Sequence, residues 1–431
     1  MPQKYHLIVL ILAFTILVGG CKKQDIIVSV PDVEMIAPYN DQLFSTFDTV
    51  FIKGEIKHSR TILKINLSIV NEQLQPIVSG KVIEVGSNEY YLNTYLVIDN
   101  KYIGNSRNFL LIKIEDNVEI HKNWVEISII GLDRQLKNIL VVTGTSNNNK
   151  LISLYPNSTV NTLFSWTSDY LGGYADSHNS MFYTCGKQLD GIRGWELIDN
   201  QLKWYISLIP NSSLPYFTAF DSQNGIVIAA TNEGYIKGYN TDGLNVFKSD
   251  QLSNGKYTGI LKSDKFLIAV FKPYSGNMKS IIVFNFPAGN IFRQTQLKGE
   301  VIDMIGKDDN QILMIVEDQG INKAMIYDIE SNSLNILHTL PSEPITTVEM
   351  SNDYIFMATA GSIFWYKPDY GSVVEYIQKQ NVVSMAFDNI SNQLFAGVND
   401  SIFVYKLPGT TAVESFFAGD KIKDIQLFYN K

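Results

Sequence analysis

The sequence is poor in cysteine, with Cys21 and Cys185 as its only two. Two thiols allow at most one disulfide, so a disulfide framework is excluded as the source of stability. Cys185 ends the apolar run Met181-Phe182-Tyr183-Thr184-Cys185, and no partner for a metal site or a reactive thiol is evident beside it in sequence. We therefore expect Cys185 to be a small buried side chain on a strand.

An excess of positive charge is also lacking, because 35 basic residues face 43 acidic ones and the formal net charge is -8. Such a surface disfavours polyanions, so nucleic acid is not an expected partner. The helix formers Ala and Leu are modest, whereas Tyr and Phe number 23 each. This balance favours strands and predicts an all-β protein. The length of 431 residues suits two or three domains of about 100 to 200 residues each.

The motifs of common catalytic sites are missing: no His-Glu-x-x-His, Gly-x-Ser-x-Gly, Walker-type phosphate loop or Gly-x-Gly-x-x-Gly occurs. Four histidines stand far apart in the chain, so a metal site would need them to converge from distant strands: His58, His121, His178 and His338. The pair Asp308-Asp309 falls where a hairpin turn is expected, which favours a turn over calcium binding or acid-base chemistry. We predict a non-enzymatic protein with no catalytic residues, no metal and no cofactor.

The longest apolar run, Leu7 to Val18, is too short to span a membrane, which takes about 20 residues. It has the length of the apolar region of a signal peptide. The residues that end it, Leu17-Val18-Gly19-Gly20-Cys21, resemble the lipobox of bacterial lipoproteins, in which the cysteine thiol receives a diacylglyceryl group. The resemblance implies a signal peptide at residues 1–20, lipidation of Cys21 and an anchor in a membrane.

Residues 21–30 are interpreted as a polar tether. Some Bacteroidota lipoproteins carry an acidic cluster here that directs them to the cell surface, and Lys22-Lys23-Gln24-Asp25 supplies only Asp25. Both the cell surface and the periplasmic side therefore stay open. The abundance of Asn, Tyr, Ile and Lys resembles proteins of that phylum, and we expect an outer-membrane lipoprotein of the cell envelope.

Residues 31–132 show strand-length runs with alternating apolar and polar residues, including Val50–Lys53, Leu63–Leu67, Tyr95–Ile98, Leu111–Ile114 and Val125–Ile129. About seven short strands in about 100 residues resemble an immunoglobulin-like β-sandwich, of the kind that follows the anchor in bacterial lipoproteins. The segment Phe109–Asn117 is expected to hold the penultimate strand and its turn. Asp116 is expected to cap that turn rather than to bind calcium.

A repeat of about 40 residues follows a linker at residues 133–137 and fills residues 138–431. Apolar strands begin at Ile139, Met181, Ile226, Phe266, Ile312, Tyr354 and Leu394. Each repeat offers four strands with tight turns, which is typical of the blades of a β-propeller. Seven repeats predict seven blades.

The end of the chain predicts how this ring closes. Ile422–Leu427 copies the innermost-strand pattern of Val301–Ile305 and Thr347–Met350, whereas the first repeat begins at Ile139 without such a strand. We therefore predict that the last strand completes the first blade by pairing with Ile139–Thr143, which removes open sheet edges. The repeats resemble WD40-like and quinoprotein-like propellers, with Gly234–Gly243 most like a quinoprotein blade. The regular tryptophans of that family are missing, so the resemblance implies no cofactor.

Propellers bind ligands at the loops that lead into the innermost strands and the loops between the second and third strands. The residues predicted for this face are Asp190, Arg193, Glu233, Tyr235, Lys272, Tyr274, Asn277, Glu317 and Asp318. Their aromatic, amide and charged groups suit stacking on a sugar or holding a peptide. Trp204 and Trp365, by contrast, are expected to fill gaps between blades.

The leading hypothesis is a membrane-anchored binding or scaffold lipoprotein whose propeller face meets a protein or glycan partner. One alternative is a periplasm-facing envelope-assembly factor, similar to the eight-bladed propeller lipoprotein of the outer-membrane barrel-assembly machinery. Another is a propeller-type polysaccharide lyase or hydrolase, with catalytic groups from separate blades. Converging Tyr, His and Arg side chains would favour this last alternative.

Overall fold

The computed structural model describes residues 30–154, 159–207, 215–276, 278–351 and 354–431. Contacts divide the chain between Asp133 and Arg134 into two compact units, called here unit 1 and unit 2. Strands dominate both, and the one helical element in the described ranges is a single 3-10 turn at Pro368–Tyr370. The prediction of an all-β protein is confirmed. The search of these ranges for a helix long and apolar enough to cross a membrane finds none.

Unit 1 is built from one hydrogen-bonded sheet with the order β1-β3-β5-β6-β2, and β4 pairs with β3. Its strands are β1 (Asp32–Ala37), β2 (Gln42–Ser45), β3 (Thr49–Val70), β4 (Lys81–Val97), β5 (Ser106–Asp116) and β6 (Ile120–Ile130). The first half of β3 pairs with β1 and its second half with β5, while β4 follows both halves. The sheet thereby encloses one apolar core, which includes Val50, Ile65 and Ile112.

The expected number of strands in unit 1 is wrong, because six are found among the described residues rather than about seven short ones. Val50–Lys53 and Leu63–Leu67 belong to the same strand, β3. The polar residues between them had the composition of a turn. In the structure they form an irregularity in the register between Lys57 and Ile62, which bends a strand without ending it.

Asp116 ends β5 and caps the turn that follows, as predicted. Its Oδ1 accepts hydrogen bonds from the backbone N–H groups of Val118 at 2.6 Å and Glu119 at 2.7 Å. Burial alone would raise the pKa of Asp116, but hydrogen bonds from His58, from these two amides and from His121 outweigh it and hold the pKa well below its usual range. The side chain is therefore a buried carboxylate.

The described residues of unit 2 form seven antiparallel sheets of four strands each. The first three sheets in chain order are β10 (Gly172–Asp176), β11 (Met181–Cys185), β12 (Ile192–Glu196) and β13 (Gln201–Ile206); β14 (Phe217–Gln223), β15 (Ile226–Thr231), β16 (Ile236–Tyr239) and β17 (Asn245–Lys248); and β18 (Gly255–Lys262), β19 (Phe266–Pro273), β20 (Lys279–Asn285) and β21 (Ile291–Leu297). Three further sheets are β22 (Glu300–Gly306), β23 (Gln311–Asp318), β24 (Ile321–Asp328) and β25 (Ser333–Thr339); β26 (Thr347–Met350), β27 (Ile355–Ala358), β28 (Ser362–Lys367) and β29 (Ser372–Gln378); and β30 (Val382–Asp388), β31 (Gln393–Val398), β32 (Ser401–Lys406) and β33 (Ala412–Phe417). The remaining sheet joins the two ends of unit 2: β34 (Ile422–Tyr429), β7 (Leu136–Thr145), β8 (Asn148–Leu154) and β9 (Asn161–Thr167).

The first strands of these sheets contact one another in a closed cycle, β10 to β14, β18, β22, β26, β30, β34 and back to β10. Radial sheets whose first strands form such a cycle define a β-propeller. The last strand pairs with the first sheet as predicted, with Ile425 opposite Val141 and Leu427 opposite Ile139. Apolar side chains of β34 and β7 share a core with the sheet that contains β31, so closure also buries apolar surface.

Three sequence predictions on packing in unit 2 are confirmed. Cys185 is 1% exposed on β11, and its burial raises the pKa of the thiol, which leaves it unreactive. Trp204 on β13 donates a hydrogen bond from Nε1 to the carbonyl of Thr241, 2.8 Å away in the next sheet. It therefore fills the gap between two neighbouring sheets. Asp308 accepts hydrogen bonds from two backbone amides in the turn before β23, as expected of a turn residue.

Candidate functional site

Eight of the nine predicted residues are described by the structure, and they lie at or near one face of unit 2. In each sheet the second strand runs antiparallel to the first, so the loop after the second strand lies at the same end as the start of the first strand. We call this end the binding face, after the role predicted for it. Asp190, Glu233, Tyr235 and Tyr274 lie in loops between second and third strands, as predicted. Asn277 lies outside the described residues.

Four predicted loop residues lie on strands instead. Arg193 is on β12, Lys272 on β19, and Glu317 and Asp318 end β23. The strands extend further than the polar composition suggested, because a charged side chain at the end of a strand can point to solvent while its backbone stays in the ladder. The four residues remain at or near the strand ends that make the binding face.

Asp190 and Arg193 form the most buried ion pair of this face. Asp190 is 4% exposed. Its Oδ2 accepts a hydrogen bond from Arg193 Nη1, and its Oδ1 accepts one from the hydroxyl of Tyr205 at 2.8 Å. The guanidinium also lies over the Tyr205 ring, with Cζ 5.0 Å from the centroid. The three side chains lock one loop in place.

The aromatic members of the face are fixed by contacts across neighbouring loops. Tyr235 donates from its hydroxyl to Gln251 Oε1 at 3.1 Å, and Lys248 Nζ lies 4.2 Å from its ring centroid. Tyr274 donates to the carbonyl of Asn232 at 3.2 Å, which ties two adjacent sheets. Tyr274 is nevertheless 59% exposed, so it presents a ring to solvent from a fixed position.

The remaining charges are also paired locally. Lys272 Nζ lies 2.9 Å from Glu300 Oε1 in the next sheet, and Asp318 Oδ2 lies 2.6 Å from Lys323 Nζ in its own sheet. Glu317 accepts from the amide of Gly320 at 2.5 Å. In the described ranges these residues thus form a series of local contacts around the face rather than one converged cluster.

A second set of polar residues, not singled out from the sequence, lies inside the ring. Asp221, Asp303, Glu349 and Asp424 all belong to first strands, which are the innermost strands of the propeller. Asp424 Oδ2 accepts a hydrogen bond from the Tyr170 hydroxyl at 2.9 Å, and its Oδ1 accepts one from Ser384 Oγ at 3.2 Å. These side chains therefore link three successive parts of the ring around its axis.

Burial controls the protonation of this axial set. It raises the pKa of Asp303 to about 6 and of Glu349 to about 8, and it raises those of Asp221 and Asp424. Repulsion between the carboxylates also acts across the ring. The charge of Asp221 helps to raise the pKa of Asp303, and the charges of Asp303 and Asp424 help to raise the pKa of Glu349. The axis of the propeller thus holds carboxyl groups that bind protons near neutral pH.

The signal for this set was present in the sequence. The innermost-strand patterns Val301–Ile305, Thr347–Met350 and Ile422–Leu427 each place one acid among apolar residues. An acid inside an apolar strand is expensive to bury unless it is hydrogen-bonded or protonated. Asp221 lies on β14 and accepts a hydrogen bond from the backbone amide of Lys262 at 3.0 Å. The turn after this strand is formed by Asn224 and Gly225.

The histidines are not all scattered, which corrects the sequence interpretation. His58 and His121 of unit 1 have ring centroids 5.2 Å apart, and both point Nε2 at Asp116. His58 lies on β3 and His121 on β6, and both strands pair with β5, which lies between them. The two histidines are far apart in sequence, so their spacing does not predict the contact. His338 lies apart from this pair, with Nδ1 2.7 Å from the Tyr366 hydroxyl.

No protein-family model matches the chain, and no curated protein matches it in sequence. Among solved structures, the chain is similar to BamB from Moraxella catarrhalis, with 10% identity, a TM-score of 0.41 and coverage of 68% of this chain and 93% of that one. A quinoprotein alcohol dehydrogenase-like protein of Bacteroides thetaiotaomicron has 12% identity, a TM-score of 0.47 and coverage of 91% and 97%. The computationally designed Ika8 protein has 14% identity, a TM-score of 0.46 and coverage of 68% and 91%. The sheet connectivity of unit 2 by itself defines the β-propeller.

Proposed function

We propose that the chain is an envelope lipoprotein that uses the binding face of a seven-bladed propeller as a rigid, non-enzymatic platform for a protein or glycan partner. In this proposal Cys21 carries the lipid, residues 31–132 form an Ig-like spacer and residues 138–431 form the propeller. The observation that supports the proposal is that exposed aromatic and charged residues of this face are held by hydrogen bonds and ion pairs to neighbouring sheets. Tyr274 is the clearest example.

Rigidity is what such a platform needs. A partner that meets side chains already held in place loses less conformational entropy than one that must order them, at about 0.5 to 1.5 kcal/mol for each side chain. Here the contacts from Lys272 to Glu300 and from Tyr274 to Asn232 hold three consecutive sheets to one another. Tyr and Arg are also the residue types that contribute most to binding surfaces.

Site-specific photo-crosslinking in cells tests this directly. A benzoylphenylalanine placed at Tyr274 samples the binding face, and one placed at Tyr370, which is 75% exposed in a loop between third and fourth strands, samples the opposite face. We expect a discrete adduct from position 274 and none from position 370. Equal labelling from both positions, or no adduct from either, would contradict the proposal.

The enzyme alternative has one observation in its favour, the pairing of tyrosine and carboxyl groups at the axis. The Tyr170 hydroxyl donates to Asp424, whose pKa is raised by burial, and hydrogen-bonded pairs of this kind serve in acid–base catalysis. Arg193 on β12 pairs instead with Asp190 of the preceding loop. Release of products from a polysaccharide panel by the intact chain, abolished in Tyr170→Phe but not in Tyr370→Phe, would establish this alternative in place of the binding role.

The assembly-factor alternative differs in the side of the membrane that the protein faces. Protease added to intact cells should cleave a surface-exposed protein and leave a periplasmic one whole. Protection in intact cells, together with an adduct from position 274 to an envelope-assembly protein, would favour this alternative.

A further inference from the structure

Unit 1 contains a compact group of metal-ligating side chains that the proposed binding role does not use. His58 lies on β3, Asp116 ends β5 and His121 lies on β6, and their candidate ligand atoms all lie within 4.8 Å of one another. The side chains of His58 and Asp116 are fully buried and that of His121 is 10% exposed. Two imidazoles and a carboxylate from three adjacent strands form the donor set that zinc prefers.

The separations lie near those between the ligands of a tetrahedral ion, and the Asp116–His58 distance is the one that is too short. Ligand atoms about 2.0 to 2.2 Å from zinc at tetrahedral angles stand about 3.3 to 3.6 Å apart. Asp116 Oδ2 lies 2.8 Å from His58 Nε2 and 3.3 Å from His121 Nε2. His121 Nε2 lies 3.7 Å from Glu119 Oε1, and this carboxylate becomes a fourth ligand only if its side chain moves toward the other three. An ion would thus enter with small shifts of the side chains.

The hydrogen bonding without an ion is crowded and incomplete. One oxygen, Asp116 Oδ2, receives both histidines and also Arg60 Nη1 at 3.2 Å. His58 Nδ1 is buried and finds no hydrogen-bond partner in the described residues. Arg60 Nη1 also lies 3.3 Å from Glu119 Oε1, so the guanidinium stands where a metal cation would interact with both carboxylates. The Arg60 side chain is 23% exposed and has a route to solvent.

We propose that His58, Asp116, His121 and Glu119 bind one Zn²⁺, which joins β3, β5 and β6 of unit 1 when Arg60 swings outward. Without the ion, His58, His121 and Arg60 compete as hydrogen-bond donors for Asp116 Oδ2. The ion takes their place at this oxygen as a single positive charge. Its role is structural, since it links strands that are distant in sequence, and an ion that binds only the folded state stabilises that state.

Calorimetry on the full chain, purified without a histidine tag and stripped with a chelator, tests the proposal with ZnCl₂ as the probe. We expect one Zn²⁺ per chain and a zinc-dependent rise in the melting temperature. Co²⁺ in place of Zn²⁺ should give the visible absorption of a tetrahedral nitrogen-oxygen site, which a merely hydrogen-bonded cluster would not produce.

Variants separate the site from incidental binding. His121→Gln should weaken zinc affinity by more than the 10- to 100-fold typical of losing an outer partner of a metal ligand. His338→Gln, a matched change in unit 2, should leave the affinity unaltered. Arg60→Gln should tighten binding, because the competing cation is removed. Failure to bind Zn²⁺, or affinity unchanged in His121→Gln while circular dichroism shows that this variant is folded, would overturn the proposal.

Discussion

Replacing Glu349 by Gln should change how the stability of unit 2 depends on pH. Glu349 lies on the innermost strand β26 and accepts a hydrogen bond at Oε1 from the backbone amide of Phe387 at 2.9 Å, which an amide oxygen can also accept. Burial raises its pKa to about 8 from the usual 4.5. Because the folded-state pKa is raised, the stability associated with this carboxyl is full below pH 4.5 and is lost as the pH rises through 8.

The size of the effect follows from the two pKa values. The two pKa values differ by about 3.5, and each pKa unit corresponds to about 1.36 kcal/mol. The upper limit on the change in the free energy of unfolding is therefore about 5 kcal/mol. Partial exposure of the side chain and local relaxation reduce it. We therefore expect the free energy of unfolding of Glu349→Gln to exceed that of the wild type by about 1 to 3 kcal/mol at pH 9 and by about zero at pH 4.5. The gap between the two proteins should widen between pH 4.5 and about pH 8 and then level off.

Chemical unfolding followed by tryptophan fluorescence measures this gap, since Trp166, Trp195, Trp204 and Trp365 all report on unit 2. The other axial acids titrate in both proteins, so the difference isolates position 349. Glu414→Gln, which removes an exposed carboxyl on β33, controls for net charge. A constant gap across the pH range, or the same widening in Glu414→Gln, would refute the reasoning.

Three further predictions concern the architecture. Deleting the residues after Gly419 removes β34, which buries four apolar side chains that contribute about 6 to 12 kcal/mol in all. Because this equals the total stability of a typical protein, we expect the truncated protein to aggregate rather than fold. Deletion of residues 22–28, by contrast, should leave the melting temperature unchanged. Cys21→Ser should abolish incorporation of labelled palmitate, and labelling at the wild-type level would contradict the lipobox assignment. Residues 31–132 and 138–431 should fold when expressed separately, and loss of circular dichroism in either fragment would argue against the boundaries.

The propeller could be predicted because the same pattern of buried strands repeats in every sheet. Each sheet buries its second strand on both faces, so runs such as Ile226–Ala230 and Phe266–Phe271 recur as continuous apolar segments at a steady interval. Closure of the ring could be predicted for the same reason. The strand β34 has the pattern of an innermost strand but lies at the other end of the repeat region from β7. The prediction that these two strands pair is confirmed.

Unit 1 resisted prediction because it has no internal repeat to reveal its strand count. Thr49–Val70 is one strand of 22 residues with an irregular register at its centre, and the polar residues there looked like a turn. The same irregular segment carries His58 and Arg60. Their contacts with Asp116 depend on the pairing of β3 with β5, which local sequence patterns do not encode.

The axial acids show a different limit. Their positions in apolar strands were recognisable, but burial and mutual repulsion appear only when the strands are arranged around one axis. Asp303 and Asp221 are two sheets apart, yet Asp221 contributes to the raised pKa of Asp303. Sequence spacing alone gives no measure of that proximity.

A designed disulfide between β7 and β34 tests the closed ring most directly. Leu140 lies opposite Gln426, and opposed residues on antiparallel strands stand about 4.5 to 5.5 Å apart, within the range a disulfide spans. Leu140→Cys with Gln426→Cys should form an intramolecular disulfide that raises the melting temperature until reductant is added. Val141→Cys with Gln426→Cys places the thiols on opposite faces of the sheet and should remain reduced. Failure of the first pair to oxidise, or equal oxidation of both pairs, would contradict a ring closed by the last strand.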